Sequence, residues 1–180
     1  MIFYILIKTF ELGKNPKIEE FTNRVNKHQG IIFKISTMYC DNEECRKDLF
    51  QDILLQLWKS YSRFSGKSKF STWMYRVALN TAINQFRISQ KEILNFKNEL
   101  SSEIGMEEES GEKEENTKLL YKAIGKLNKA EKSLIILYLD NLHYNEIAEI
   151  TGISVSNVGV KINRIKSKLQ KILKELGYGL

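Results

Sequence analysis

In Asn145–Leu169, NEIAEITGISVSNVGVKINRIKSKL, side chains able to bond phosphates and base edges recur at helical spacing. The chemistry they suit is non-covalent: gripping a nucleic acid. At about 100° per residue, Lys161, Arg164, Lys168 and Lys171 fall on one flank of a helix. Val155, Val158, Ile162, Ile165, Leu169, Leu173 and Leu176 form an apolar stripe well away from that flank, and Val160, Asn163 and Ser167 lie nearly opposite the stripe. The element before it explains the geometry. A short helix carries Ile147 and Ala148, Thr151-Gly152-Ile153 makes a tight turn with Gly152 left-handed, and Ser154 caps the second helix. Alanine allows close approach, while Ile153 and Val158 fill the angle between the helices. A hairpin used only for packing would share the alanine and the glycine, but it has no use for the basic flank. The spacing predicts a helix-turn-helix whose second helix enters a major groove. Leu127–Leu142 reads as a turn and a supporting helix, with Leu134, Ile135 and Tyr138 in the core behind the hairpin.

A second constellation lies upstream. From Lys59 to Lys91 there are seven Lys or Arg, six aromatic residues and no Asp or Glu. Cations attract a phosphate backbone, and aromatic faces stack on unpaired bases at roughly 1–3 kcal/mol each. On a helix opening near Ser71, its N-cap, the residues Trp73, Arg76, Asn80 and Arg87 share a stripe. There Asn80 could read a base edge while Arg76 and Arg87 hold phosphates. Trp73, Met74 and Val77 equally suit a core, so the acid-free run as a whole, more than any single ring, points to single-stranded nucleic acid. Asp48-Leu49-Phe50-Gln51-Asp52 opens a preceding helix that ends near Trp58. Asp48 and Asp52 stand one turn apart, but no third ligand follows at metal spacing. A polar face offered to a protein, with Leu49, Ile53 and Leu57 turned inward, accounts for them more economically.

These segments must be carried by helices, because Leu, Ile, Lys and Glu dominate and the 180 residues include a single proline, Pro16. Three zones stand out, at roughly 17–92, 93–116 and 117–176. Eight glutamates against two lysines place a charge of −6 in residues 97–116 of a chain whose net charge is +6, which leaves the remainder at +12. A basic body suits a polyanion. The acidic zone, too charged and too poor in aromatics to order itself, reads as a linker. The expected fold is all-α, with two small helical domains joined by a flexible acidic linker. Cys40 and Cys45, with four residues between them and no partner cluster, read as reduced thiols. The apolar run Met1–Leu12 is too short to span a bilayer and lacks the marks of a signal peptide, so it reads as a first strand or helical turn. His28 and His143 are isolated. No Gly-rich phosphate loop, nucleophile–base pair or cofactor site is evident, and no small-molecule substrate is expected.

Asp48–Arg87, DLFQDILLQLWKSYSRFSGKSKFSTWMYRVALNTAINQFR, followed by the helix-turn-helix resembles the small extracytoplasmic-function group of sigma-70 factors. The resemblance rests on Gln51-Asp52, Trp58, Phe64, Gly66, Phe70-Ser71-Thr72-Trp73, Arg76, Ala78 and Asn80. It covers about 18–90 and 117–176. It implies a cytoplasmic, non-enzymatic initiation factor that binds core RNA polymerase and promoter DNA, with an anti-sigma protein as a further partner. Residues 1–17 would be an N-terminal extension, 18–92 region 2, 93–116 the linker and 117–176 region 4. Region 2 would dock on polymerase through Asp48, Gln51 and Asp52. It would open the minus-ten element with Phe64, Lys67, Lys69, Trp73, Arg76, Asn80 and Arg87. Region 4 would read the minus-thirty-five element as duplex through Ser156, Asn157, Gly159, Val160, Lys161, Asn163, Arg164 and Lys168. Gly159 departs from the Arg or Lys common there. A glycine inside a reading helix costs about 1 kcal/mol relative to alanine, so close backbone approach to DNA is the expected reason for it.

Two other readings remain open on the residues alone. A stand-alone helix-turn-helix regulator would bind palindromic sites tightly without polymerase. A recombinase or nuclease would use Asp48 and Asp52 as metal ligands.

Overall fold

The computed structural model describes residues 16–95 and 112–177, with side chains described for 16–85 and, Lys118 apart, for 117–177. Every regular element among them is a helix. In chain order these are α1 (Pro16–Lys27), α2 (Gln29–Tyr39), α3 (Glu43–Tyr61), α4 (Phe70–Asn95), α5 (Glu112–Gly125), α6 (Lys129–Leu139), α7 (Tyr144–Thr151) and α8 (Val155–Glu175).

Helices α1 to α4 form the first unit. Pro16 stands in the first turn of α1, where a missing N–H is no loss, and Phe21 and Val25 turn inward. Ile32 and Ile35 of α2, Leu49, Ile53 and Leu57 of α3, and Met74, Ala78 and Ala82 of α4 are buried completely or nearly so. Each large apolar side chain so placed is worth about 1.5–3 kcal/mol relative to exposure. The inward set expected on α3 is therefore the observed one. Its start is not, since α3 opens at Glu43, five residues before Asp48. The side chain of Asn42 accepts from the Cys45 amide, and Glu43 and Glu44 occupy the positive end of the helix dipole. Likewise α4 begins at Phe70, so Ser71 lies inside its first turn and is not the cap.

The corner between α2 and α3 corrects the reading of the cysteines. Cys40 and Cys45 are joined in a disulfide, their Cα atoms 5.6 Å apart. Cys40 ends α2 in extended conformation, and α3 starts at once from Asn42, so the reversal of the chain brings together two thiols separated in sequence by a short polar turn.

In the second unit, α8 packs on α5, α6 and α7. Asn128 and Glu131 form a capping box at the start of α6, each side chain accepting from the other residue's backbone amide. Leu134 and Ile135 are buried as expected and Tyr138 is half-buried. Between the units, α2 touches α5 and α4 packs along α7. Helix also reaches into both ends of the expected linker, through Asn95 and from Glu112. Its centre, like Met1–Leu12, lies outside the described residues.

Candidate nucleic-acid interface

The helix-turn-helix is built locally. Thr151 ends α7, and Gly152 adopts φ 73°, a left-handed turn that a side chain would strain. Ser154 then caps α8, its hydroxyl accepting from the Asn157 amide at 3.3 Å. The stripe anchors α8 through Val158, Ile162, Ile165, Leu169 and Ile172, with Leu173 and Leu176 half-buried. Val155, expected to join the stripe, is 43% exposed. With that face held, Ser156, Asn157, Val160, Lys161, Asn163, Arg164 and Lys168 are exposed. Asn163, Arg164, Ser167, Lys168 and Lys171 line one shallow depression. Lys168 also reaches Glu131 at 2.8 Å. Burial pushes the Glu131 carboxyl up, but its bonds to Lys168 and the Asn128 amide outweigh this and hold it below its usual value. The pair is half-exposed and worth at most about 1 kcal/mol.

Gly159 is the exception on this helix. It is half-buried, because the ring of Tyr144, at the start of α7, lies over it. The contact leaves room for a methyl group at this position, so Tyr144 alone does not require a glycine here.

In the first unit the aromatic residues are largely spent on one another. Phe64 packs on Phe70 at 5.5 Å and on Trp73 at 5.1 Å between ring centres, and Tyr61 joins both Phe70 and Trp73. Arg24 of α1 lies over the Phe64 and Phe70 rings, 6.0 and 5.8 Å from their centres. It is a cation that the sequence reading missed, since α1 and the loop after α3 meet only in the folded chain. Phe64 stays half-buried beside exposed Lys67 and Lys69, and Trp73 is half-buried beside exposed Arg76. Asn80, exposed on α4, is grouped differently: it shares a groove with Asp52, Gln56 and Asn84 between α3 and α4. The Arg87 side chain lies outside the described residues.

Asp48, Gln51 and Asp52 are exposed together on α3, and with them Leu55, 47% exposed one turn further on. Leu55 was legible in principle, being out of phase with Leu49, Ile53 and Leu57. Among the described residues no three His, Cys, Asp or Glu side chains form a metal-binding group. Likewise, no described helix is long and apolar enough to cross a membrane.

Comparison with known proteins defines the class. Residues 24–92 match sigma-70 region 2, and residues 117–169 match sigma-70 region 4. Among curated relatives, the RNA polymerase sigma factor YlaC of Bacillus subtilis is 30% identical over 71% of this chain and 77% of its own. The ECF RNA polymerase sigma factor SigW of the same organism is 25% identical over 94% of this chain and 97% of its own. Among solved structures, the sigma factor RpoE of Bartonella quintana, in complex with the anti-sigma factor NepR, superposes with a TM-score of 0.73 at 19% identity. That match covers 87% of this chain and 98% of RpoE. CnrH, in complex with the cytosolic domain of CnrY, gives 0.61, also at 19% identity, over 86% of this chain and 88% of CnrH. The chain belongs to the sigma-70 family of RNA polymerase sigma factors, in its extracytoplasmic-function group. That is a class of transcription initiation factors rather than enzymes.

Proposed function

We propose that the protein works in the cytoplasm, binds core RNA polymerase and directs it to promoters whose minus-thirty-five element is read as duplex by α8. The observation that carries this reading is the exposed row from Ser156 to Lys168. It is anchored on a buried stripe and aimed by the left-handed turn at Gly152. Lys161, Arg164 and Lys168 supply phosphate contacts, Asn163 a base-edge donor and acceptor, and Val160 an apolar surface for a thymine methyl. The first unit takes the minus-ten element as strands separate. Its cations are Lys67, Lys69, Arg76, Arg87 and Arg24, with Phe64 and Trp73 as half-buried rings beside them and Asn80 for a displaced base. Asp48, Gln51 and Asp52, now with Leu55, form the polymerase face. Here an exposed leucine among carboxylates and an amide has the composition of a protein contact.

Region 2 is assigned to 18–92, the linker to 93–116 and region 4 to 117–176, with 1–17 as an extension. An anti-sigma protein belongs among the partners, as RpoE was solved with one. Run-off transcription with core polymerase on a library of genomic promoters tests the reading. Discrete start sites that require the added factor are the expected result. A stand-alone regulator would instead bind DNA tightly by itself and leave initiation by core polymerase unchanged.

A further inference from the structure

The disulfide stands at the head of α3, the helix that carries the proposed polymerase face, and its two sulfurs are unequally placed. Cys40, at the end of α2, is 2% exposed and packs in the core, whereas Cys45, in the first turn of α3, is half-buried. At about 100° per residue, Cys45 lies on α3 between the exposed Asp48 and Asp52 on one side and the buried Leu49 on the other. The bridge therefore ties the edge of the polymerase face to the buried end of α2. Three other bonds hold the corner. Asn42 accepts from the Cys45 amide at 2.8 Å, and the Arg46 side chain donates to the carbonyls of Cys40 and Asp41, each at 3.1 Å. The bonds to Asn42 and to the Asp41 carbonyl are exposed to water, so they keep the two thiols near each other without fixing the helix start firmly.

We infer that Cys40 and Cys45 are a reversible dithiol–disulfide site: oxidation fixes the first turns of α3, and reduction loosens that end of the polymerase face. The inference rests on the functional reading above, in that α3 docks on core polymerase in the cytoplasm. Disulfides in that compartment are usually transient and redox-sensing, because cellular thiols reduce them. These are the only two cysteines in the chain, so within one molecule each has the other as its sole partner. Cys45 is the sulfur that a reagent reaches. Its thiolate attacks a hydroperoxide, the O–O bond breaks, and the alkoxide leaves and is protonated to the alcohol. The Cys40 thiol then attacks the Cys45 sulfenic acid, forming the S–S bond and releasing water. Two thiols have lost two electrons and two protons, and the peroxide has become alcohol and water. A cellular dithiol reverses the change. One of its sulfurs attacks Cys45, Cys40 leaves and takes a proton, and the second sulfur expels Cys45 as the reductant closes its own disulfide.

The test uses the full chain, reduced with dithiothreitol or oxidised with tert-butyl hydroperoxide. Alkylation read by intact mass should find two free thiols in the first sample and none in the second. Oxidation should raise Tm by about 5 °C, since closing the turn removes unfolded conformations. It should also tighten binding to core polymerase about threefold, the gain expected if the first turn of α3 is formed in about a third of the reduced chain. Cys45→Ser should bind like the reduced chain whether or not peroxide is added, which also controls for oxidation elsewhere. It is the deciding variant because Cys40, being buried, tolerates a hydroxyl less well. Thiols that peroxide leaves free, or a bridge that forms without changing polymerase binding, would overturn the switch. Thiol counts and Tm are read without polymerase. If neither state bound polymerase, the functional reading would fall and control of docking with it, while those two readouts would still judge the redox chemistry of the pair.

Discussion

Tyr144 lies over Gly159 so closely that a Cβ built on the glycine would stand 3.4 Å from the tyrosine's Cε2 and 3.8 Å from its Cδ2. These are van der Waals distances, so alanine fits without displacing the ring. Gly159→Ala should therefore raise stability by about 0.5–1 kcal/mol, the helix-propensity gain, with duplex binding unchanged. Thermal unfolding and anisotropy on promoter duplex check the two halves. A loss of duplex affinity would instead show that bare backbone meets DNA here.

Lys161 and Arg164 are exposed on α8. Replacing both with alanine should weaken duplex binding and lower the magnitude of the log K against log salt slope by about 2, as two fewer counterions are released. Titrations at several salt concentrations measure this. An unchanged slope would place the phosphate backbone elsewhere.

Asp52→Lys and Leu55→Ala alter an exposed face of α3. Both should lower transcription with core polymerase several-fold while duplex affinity stays within error. Because neither side chain is buried, stability should change by less than about 0.5 kcal/mol. Equal loss of polymerase-free DNA binding would argue against a protein-contact role.

Burial pushes the phenols of Tyr39 and Tyr75 up to about 12, although the Ser133 hydrogen bond opposes the shift at Tyr39. Tyr39 faces Ser133 and the Lys129 carbonyl, with the Lys132 ammonium 6.0 Å from its ring centre, while Tyr75 faces Asp140. A phenol whose folded pKa lies above the unfolded value of about 10 stabilises the fold fully below pH 10 and loses that contribution as pH rises towards 12. Stability should therefore fall across that window, and Tyr39→Phe should flatten the fall. Denaturant midpoints against pH, with tyrosinate absorbance as the second probe, decide it.

The helix-turn-helix was legible because its determinants are local. The left-handed turn at Gly152, the Ser154 cap and the three- and four-residue recurrence of apolar side chains in α8 act within a few residues of one another. Periodicity also predicted that Leu49, Ile53 and Leu57 would turn inward. The start of α3 is also local: Asn42 caps it and Glu43 and Glu44 fill its first turn, a stronger start signal than Asp48.

By itself, then, the sequence determined which helices form, which stripes they bury and which cations those stripes leave facing outward, since propensity, capping and periodicity depend on near neighbours alone. Only the tertiary structure decided what the outward groups meet. Lys69 finds Glu146 and Arg76 finds the Glu149 carbonyl across more than seventy residues. Tyr144 covers Gly159, and a turn closes Cys40 onto Cys45. Electrostatic attraction and packing act between groups close in space, and spatial proximity across the chain is set by how the helices stack.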